Sequence, residues 1–588
     1  MRKNNIRRTM TAVLAATMIM SSAACGSNET SSTVTSSTQA CTEDGSRNDS
    51  SNNTRQESTT TAQVAESTQA PMYEYEACDE DASINQLSGA SNYKAGARDI
   101  NNCAEVDIDY EQEQDFYTNE YNDLAENPWQ TVKTAPLSTF AADVDTASYS
   151  QIRSGILNGY GVDPGQVRIE EMINYFDYDY ETPKKGDKFA VHTEFTDCPW
   201  NEDTQLALVS LNTEQIDFSD APESNIVFLI DTSGSMFDEN KLPLVQKSMC
   251  MLAENLTEKD RVSIVTYAGS HEVVLEGASG ADYHEICAKI EALEAHGSTN
   301  GADGIETAYD IAEKYFIKGG NNRVILATDG DLNVGVTSET ELEKLITEKK
   351  ESGVFLSVIG VGYGNYKDNK LETLADKGNG NYSYIDSIFE AKKALVTDLG
   401  ANMVTVAKDV KLQVEFNPAL VKGYRLIGYE NRTMAAEDFN DDKKDGGEMG
   451  AGHSVTAIYE IVRADSDMNM PGVDLKYSDN KEENEIYGEG EYNDELFTLR
   501  VRFKEPDGDK SELLDFVCKT DNYSKTGSDN LRWAAAVAAF GMQMKDSEYM
   551  GTTNEKLILS LAESVKDSDD DYKKEFIDLV EEYYDQIG

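Results

Sequence analysis

Residues 225–231 read NIVFLID and continue at 232–236 as TSGSM. Five consecutive apolar residues in the first segment are typical of a parallel strand buried between two helical layers. The strand ends in a carboxylate, Asp231, and the tight loop that follows carries the hydroxyls of Ser233 and Ser235. Open α/β sheets bind ligands at the carboxyl ends of their strands. The stretch therefore predicts a buried strand at 226–231 with a candidate ligand site at its end.

Strand and helix patterns alternate on both sides of this segment and predict a doubly wound, mostly parallel, Rossmann-like α/β domain over residues 222–400. The other predicted strands are 262–268, 271–276, 323–328, 353–361 and 382–386. The predicted helices are 242–256, 281–294, 302–317, 338–351, 368–377 and 387–399.

Two further loops carry oxygen ligands. Gly297-Ser298-Thr299-Asn300 precedes a predicted helix, and the buried strand VILAT ends in Asp329-Gly330. Hydroxyl and carboxylate oxygens are hard ligands that suit Mg²⁺, with Mn²⁺ or Ca²⁺ as alternatives. Two other interpretations remain open, because such residues also cap helices without a metal and because a bound ion can act only on folding stability.

The order D-x-S-x-S, Gly-x-Thr and Thr-Asp-Gly resembles the signature of the von Willebrand factor type A domain. In that family the three motifs form a metal-ion-dependent adhesion site. The resemblance implies that the metal ligands are Asp231, Ser233, Ser235, Thr299 and Asp329. It also implies that the ion's open coordination position takes a Glu or Asp of a protein partner.

Two companion regions flank this domain at 126–221 and 401–588. The segments FAADVDTASYSQIRSGI, CPWN and AGHSVTAIYE resemble those of bacterial lipoproteins with a type A domain between two such regions. Both flanks carry alternating, strand-like segments, and an inserted domain needs its two ends close together. We therefore expect the flanks to pack into one β-rich unit that carries the type A domain as an insertion.

Within the flanks, residues 140–145 are predicted to form a strand, and Asp145 or Thr146 to cap a helix at 147–158 that stops at Gly159. The remaining predicted strands are 188–197, 204–211, 410–416, 455–462 and 497–503. The remaining predicted helices are 167–176, 529–545, 553–565 and 571–584.

The N-terminus is typical of an export signal. Residues 1–24 combine four basic residues, a short apolar run and the small residues Ser22-Ala23-Ala24. Cys25 directly afterwards resembles the lipidated cysteine of bacterial lipoproteins; an ordinary signal peptide cut near Ala24 is the alternative. Residues 25–125 are rich in Ser and Thr and then acidic, which predicts a disordered stalk. The expected location is the extracytoplasmic face of a membrane, the outer membrane in a two-membrane cell.

The net charge of the chain argues against one class of function, nucleic-acid binding. The chain has 108 acidic and 52 basic residues, a formal net charge of −56, and repels nucleic acid. The H-E-x-x-H, G-x-S-x-G and phosphate-loop motifs are all incomplete or missing. Together with the resemblance to the von Willebrand factor type A domain, this leads us to expect a non-enzymatic, lipid-anchored module for adhesion or envelope assembly. The resemblance implies that it binds an acidic residue of a protein partner through a divalent metal. The alternative is a metal-dependent or otherwise uncharacterised envelope hydrolase.

Overall fold

The structure is a computed structural model of the 588-residue chain. It describes residues 121, 124–215, 221–298, 302–330, 339–363, 366–398, 404–444, 446–471, 492–506, 508–565 and 570–588. All of these belong to one compact unit, Ile108–Gly588. Cys25, most of the predicted stalk and Thr299 lie outside the described residues.

Seventeen strands are defined in the described residues. They are β1 (Gln130–Thr131), β2 (Leu137–Ala141), β3 (Phe189–Asp197), β4 (Gln205–Thr213), β5 (Ser224–Asp231), β6 (Arg261–Tyr267), β7 (His271–Ser279), β8 (Asn321–Thr328), β9 (Phe355–Val361), β10 (Tyr382–Ile385), β11 (Thr405–Phe416), β12 (Val421–Ile427), β13 (Thr433–Met434), β14 (Gly447–Gly450), β15 (Ser454–Arg463), β16 (Glu495–Lys504) and β17 (Ser511–Lys519).

The α-helices of the same residues are α1 (Ala147–Asn158), α2 (Ile169–Asn174), α3 (Leu242–Ala253), α4 (Tyr283–Glu291), α5 (Ala302–Lys314), α6 (Glu339–Lys350), α7 (Asp368–Lys377), α8 (Ile388–Lys392), α9 (Asp529–Met544), α10 (Glu555–Glu563) and α11 (Asp571–Ile587). A π-helical turn, Lys393–Thr397, continues α8.

Strands β5 to β10 form a central sheet in the order β10-β9-β8-β5-β6-β7. All neighbours are parallel except the edge strand β7, which is antiparallel to β6. On one face, Val227 and Leu229 of β5 pack with residues of α5, α6 and α7. On the other face, Ile226 and Phe228 pack with residues of α3 and α4. The predicted doubly wound, mostly parallel fold is therefore confirmed, because β5 is apolar on both faces.

The two flanks build a β-sandwich together. One sheet has the order β1-β12-β15-β4-β3, and the other has the order β13-β2-β11-β16-β17 with β14 added on β11. Strands from before the central sheet therefore pair with strands from after it, as β4 does with β15 and β2 with β11. The two sheets share one apolar core that includes Phe416, Tyr424 and Tyr459. This pairing confirms that the flanks fold as one β-rich unit around the central-sheet region.

Helices from both flanks cover the outer face of the first sandwich sheet. Trp533 of α9 and Phe576 of α11 make edge-to-face contacts with Phe176, which follows α2. Leu208 of β4 and Ile458 of β15 lie in the same core. The predicted C-terminal helices are thus confirmed, and they form a layer against the sandwich rather than a separate bundle.

Two local predictions at the start of α1 are wrong. The strand predicted at 140–145 runs instead over Leu137–Ala141, and no side chain caps α1 from Asp145 or Thr146. Asp145 instead accepts a hydrogen bond from the Tyr382 backbone N–H (2.9 Å) and pairs with Arg432 (3.0 Å). The first turn of α1 is satisfied from α2, where Glu171 accepts the Ser148 backbone N–H at 2.9 Å. The start of α1 is therefore stabilised by long-range contacts of Asp145 and Glu171 and not by a local side-chain cap.

Buried arginines join the central-sheet region to the flanks, and we call Arg153, Arg168, Arg432 and the carboxylates around them the arginine interface. Arg153 of α1 pairs with Asp386 (2.6 Å) and Glu390 (2.7 Å), which lie at the start of α8, and with Glu575 of α11 (2.9 Å). The Arg153 guanidinium thus links α1, the start of α8 and α11, which lie far apart in sequence.

Arg168 and Arg432 repeat this arrangement around α7. Arg168 pairs with Asp368 (2.7 Å), Glu372 (3.0 Å) and Glu171 (3.3 Å). Arg432 reaches Glu372 as well, at 3.2 Å. Carboxylates outnumber guanidinium groups here, so each arginine is shared among several acids.

Among the described helices, none combines the length and the apolar composition that a membrane span requires.

The described chain begins with Tyr121, whose hydroxyl accepts a hydrogen bond from Gln166 Nε2 at 2.6 Å. Asn127 Nδ2 donates to the carbonyl of Gly428 at 2.7 Å. The entering chain is therefore fastened to both flanks.

Candidate metal centre

The two predicted carboxylate ligands emerge side by side from the central sheet. β5 ends at Asp231, and β8 ends at Thr328, one residue before Asp329. The strands are parallel neighbours with Ile230 opposite Ala327, so both chains leave the sheet at the same edge. The Asp231 side chain is completely buried, and Asp329 is nearly so. The sheet itself therefore brings the first and third motifs together.

The loop after β5 is folded tightly around Asp231. The Ser233 backbone N–H donates to Asp231 Oδ1 at 2.9 Å, and the hydroxyls of Ser233 and Ser235 lie 3.0 Å apart. A short 3₁₀ turn, Gly234–Phe237, then leads toward α3. The two predicted hydroxyl ligands thus lie next to each other and beside the predicted carboxylate.

The chain approaching the second predicted loop lies against the first. The His296 backbone N–H donates to the carbonyl of Thr232 at 2.8 Å, and the Gly234 N–H donates to the carbonyl of Gly297 at 3.0 Å. Gly297 has a positive φ of 83°, which favours glycine at this close approach. Thr299, the fifth predicted ligand, lies outside the described residues, and these two hydrogen bonds hold only the segment that leads to it.

Among the described residues, neutral donors alone stabilise Asp231. Besides the Ser233 N–H, its Oδ2 accepts a hydrogen bond from the Thr328 hydroxyl at 3.1 Å. Burial raises the pKa of Asp231 to about 6, and the charge of Asp329 acts in the same direction against these hydrogen bonds. Within the described part of the chain, no lysine or arginine forms an ion pair with Asp231. A buried carboxylate of this kind is stabilised when a cation approaches it.

Lys241 is a member of this site that the sequence analysis missed. Its Nζ donates to Asp329 Oδ2 and to the carbonyl of Ser235, both at 3.0 Å. The side chain is only 13% exposed. The residue directly precedes α3, and no motif in the sequence marks it, since its contact with Asp329 spans 88 positions.

The donor set fits a hard divalent cation. It consists of carboxylate and hydroxyl oxygens from Asp231, Ser233, Ser235 and Asp329, the kind of ligand that Mg²⁺ and Mn²⁺ prefer. Among the described residues, no group of three or more His, Cys, Asp and Glu side chains is arranged to hold a metal. A centre here therefore depends on hydroxyl ligands, and Thr299 is the remaining candidate for one.

Solvent reaches the centre from one side. Ser235 and the residues from Phe237 to Asn240 are exposed, and Phe237 is 78% exposed. Asp231 and Ser233 lie beneath them, buried. A partner can therefore approach over Ser235, whereas the opposite side of the centre is closed by the sheet.

This fold and site define a protein with a von Willebrand factor type A domain, a class of protein-interaction and adhesion modules. The family model for that domain matches residues 225–398. A model described as von Willebrand factor matches residues 115–208, and one described as the C-terminal region of the uncharacterized protein YfbK matches residues 401–585.

The chain is 42% identical over 474 residues to the uncharacterized protein YfbK of Escherichia coli (strain K12), which covers 79% of this chain and 81% of that protein. It therefore belongs to the YfbK family. An uncharacterized protein of Synechocystis, sll0103, is 29% identical over 170 residues, 28% of this chain and 39% of its own length. A solved structure, von Willebrand factor type A from Catenulispora acidiphila, covers 69% of this chain and 91% of its own, with 16% identity and a TM-score of 0.37.

Proposed function

We propose that the chain is a lipid-anchored, extracytoplasmic binding protein whose metal centre captures a Glu or Asp of a protein partner. The observation that carries the proposal is the convergence of Asp231, Ser233, Ser235 and Asp329 at the solvent-facing edge of the central sheet. Two buried carboxylates at that edge, with two hydroxyls beside them, form a set of oxygen ligands that suits a divalent cation.

In this proposal the protein's residues divide the work. Asp231 and Asp329 supply negative charge to the cation from below, and Ser233 and Ser235 supply neutral oxygens. A divalent ion bound here supplies an electrophilic position for a carboxylate oxygen. Neutral hydroxyl ligands leave that position attractive to a partner, because they cancel little of the ion's charge. Thr299 completes the set as a third hydroxyl.

The overall charge explains why the cation is needed. The chain carries a formal net charge of −56 and repels an acidic partner. A partner's carboxylate also gives up strong hydration when it binds. A divalent ion at the site of contact offsets both costs locally, so binding depends on metal.

The anchoring part of the proposal rests on the N-terminal sequence. Cys25 follows the small residues Ser22-Ala23-Ala24, and a Ser- and Thr-rich segment separates it from the folded part. Labelled palmitate should be incorporated into wild type, and Cys25→Ala should abolish the labelling and either release the chain from the membrane or leave the signal peptide uncleaved. Water-soluble wild type with a free N-terminus contradicts the anchor but leaves the metal centre untouched.

Affinity capture from the native cell surface tests the binding function. Full-length protein should retain a partner in Mg²⁺ or Mn²⁺ and release it in EDTA, and Asp231→Ala should retain none while circular dichroism shows the fold unchanged. Glu285→Ala is the matched control, because this exposed carboxylate lies at the start of α4, at the edge of the central sheet opposite to the site, and should leave capture unchanged. Equal capture by wild type in EDTA and by Asp231→Ala overturns the metal bridge.

The same preparation separates binding from catalysis. The described residues around Asp231 offer hydroxyl and carboxylate oxygens, which form a set suited to holding a cation. We propose that the protein is not an enzyme. A metal-dependent hydrolytic activity that Asp231→Ala abolishes would replace the binding proposal with the hydrolase alternative.

A further inference from the structure

Lys241 extends its ammonium group into the candidate metal centre. Its ammonium contacts Asp329 Oδ2 and the Ser235 carbonyl at 3.0 Å each, and so bridges the first and third motifs. Asp329 is a predicted metal ligand, and Ser235 carries another on its side chain. The lysine side chain is 13% exposed, so the contact is largely shielded from water.

The stem of Lys241 is held in place by the loop after β9. A side chain in place of the hydrogen at Gly362 would collide with the Lys241 side-chain carbons. Gly362 also has a positive φ of 79°, and its carbonyl accepts a hydrogen bond from the Tyr384 hydroxyl at 2.6 Å. The backbone therefore leaves a groove here that the lysine stem fills, and the ammonium is directed at Asp329.

An ammonium and a divalent cation would share the Asp329 carboxylate at this position. Asp329 is nearly buried, and Lys241 forms an ion pair with it. A divalent ion bound by Asp329 and the Ser235 hydroxyl would lie within a few ångströms of that ammonium, and at such distances like charges repel strongly where water is scarce.

We propose that Lys241 is a tethered cation that competes with the divalent metal for Asp329. The inference rests on the proposed metal function and deepens it. Without metal, the ammonium neutralises part of the buried charge and keeps the loops assembled. When a divalent ion binds, the ammonium withdraws toward the exposed side at Asp238 to Asn240. Metal affinity is therefore lower than the ligand set alone would give.

Titration with Mn²⁺, followed by the electron paramagnetic resonance signal of free Mn²⁺, tests this on the full-length chain. Lys241→Met keeps the apolar stem and removes the charge. It should bind Mn²⁺ about tenfold more tightly than wild type, which corresponds to about 1.4 kcal/mol. Lys247→Met is the matched control, since Lys247 is an exposed lysine of α3 and its variant should bind as wild type does. Lys241→Gln provides a second neutral variant with the same expected gain.

The outcomes separate the lysine inference from the metal function. If wild type binds Mn²⁺ and both neutral variants bind it equally or more weakly, the competition is wrong and the metal centre stands. If the neutral variants bind and wild type does not, the competition is supported and the native centre is closed to Mn²⁺. If neither binds, both proposals are overturned. A larger Mn²⁺-induced rise in melting temperature for Lys241→Met than for wild type is the accompanying result.

Discussion

Buried carboxylates have opposite surroundings at the candidate metal centre and at the arginine interface. At the interface, Arg153 alone contacts three carboxylates, each within 3 Å. At the centre, Asp231 has only hydroxyl and backbone donors within the described part of the chain, and Asp329 pairs with a lysine. Both regions bury acidic groups, and the interface supplies them with permanent guanidinium partners.

The difference separates carboxylates with a permanent cationic partner from carboxylates whose charge a bound ion could neutralise. A guanidinium group belongs to the chain and is always charged, so it cannot exchange with solvent. The carboxylates paired with it therefore hold secondary-structure elements together. An acid stabilised by neutral donors retains a need for positive charge, which an exchangeable ion can meet. In this protein the sandwich and helices therefore hold the central-sheet region through arginines, and we propose that an exchangeable cation binds at its solvent-facing edge.

Removing Arg153 should have the largest effect on stability. Arg153→Met leaves Asp386 and Glu390 buried without their cation, and such losses cost about 3–5 kcal/mol. Urea denaturation followed by circular dichroism should show that decrease. Arg463→Met is the control, because Arg463 forms an exposed pair with Asp465 and its loss should cost under about 1 kcal/mol. Equal small losses in both variants would remove the structural role assigned to the interface.

Neutralising Asp231 should act on metal binding and hardly on metal-free stability. Asp231→Asn keeps the side-chain shape and removes a buried charge that only neutral groups stabilise among the described residues. Without metal its melting temperature should match or exceed that of wild type. Stabilisation by Mn²⁺ at a hundred times its Kd, about 2.7 kcal/mol for wild type, should vanish. Differential scanning fluorimetry measures both; a retained Mn²⁺ effect would move the ion away from Asp231.

The acid excess around Arg168 should make stability depend on pH. Burial raises the pKa of Glu171 and of Glu372 from 4.5 to about 7, partly offset by Arg168. The folded state thus holds protons that the unfolded chain releases between those pH values, and this stability is complete below 4.5 and lost as pH rises through about 7.

Glu372→Gln tests this assignment, because glutamine cannot release the proton. The melting temperature of wild type should fall between about pH 5 and about pH 8 more steeply than that of the variant, whatever other groups add to both curves. Parallel curves would show that Arg168 and Arg432 offset the burial of Glu372 in full, and the pH dependence assigned to this residue would then be wrong.

The smallest expected effect is at the outer end of the Arg153 cluster. Glu575 is 30% exposed, so water already screens its pair with Arg153. Glu575→Gln should lower the free energy of unfolding by about 0.5–1 kcal/mol in the same urea experiment. A loss as large as that of Arg153→Met would place the strength of the cluster at its solvent side, contrary to the burial of its members.

Much of this fold could be predicted from local patterns. The apolar run of β5 and the alternation of strand and helix determined the central sheet, because buried parallel strands and amphipathic helices have strong periodicities. β12 was missed because Gly423 and Arg425 interrupt its apolar pattern, and β17 because this edge strand keeps Leu513 and Val517 exposed. Strands that depend on their neighbours for burial give weak local signals.

The residues of the candidate site also differ in whether the sequence alone could predict them. Asp231, Ser233, Ser235 and Asp329 could be predicted because they occupy strand ends whose meeting point the sheet determines. Lys241 could not, since its role depends on a groove above Gly362 that forms only in the folded chain. The arginine interface was equally hidden, because Arg153 and Asp386 are 233 positions apart.

Anomalous scattering from crystals grown with Mn²⁺ tests most directly the claim that the sheet edge, and not the acid-rich interface, holds an exchangeable cation. We expect one Mn²⁺ peak per chain, with the hydroxyl oxygens of Ser233 and Ser235 about 2.1 Å from it and the Thr299 hydroxyl nearby. We also expect the Lys241 ammonium to have moved off Asp329. A peak among the carboxylates of Arg153 or Arg168 and none at Ser233 would contradict the account.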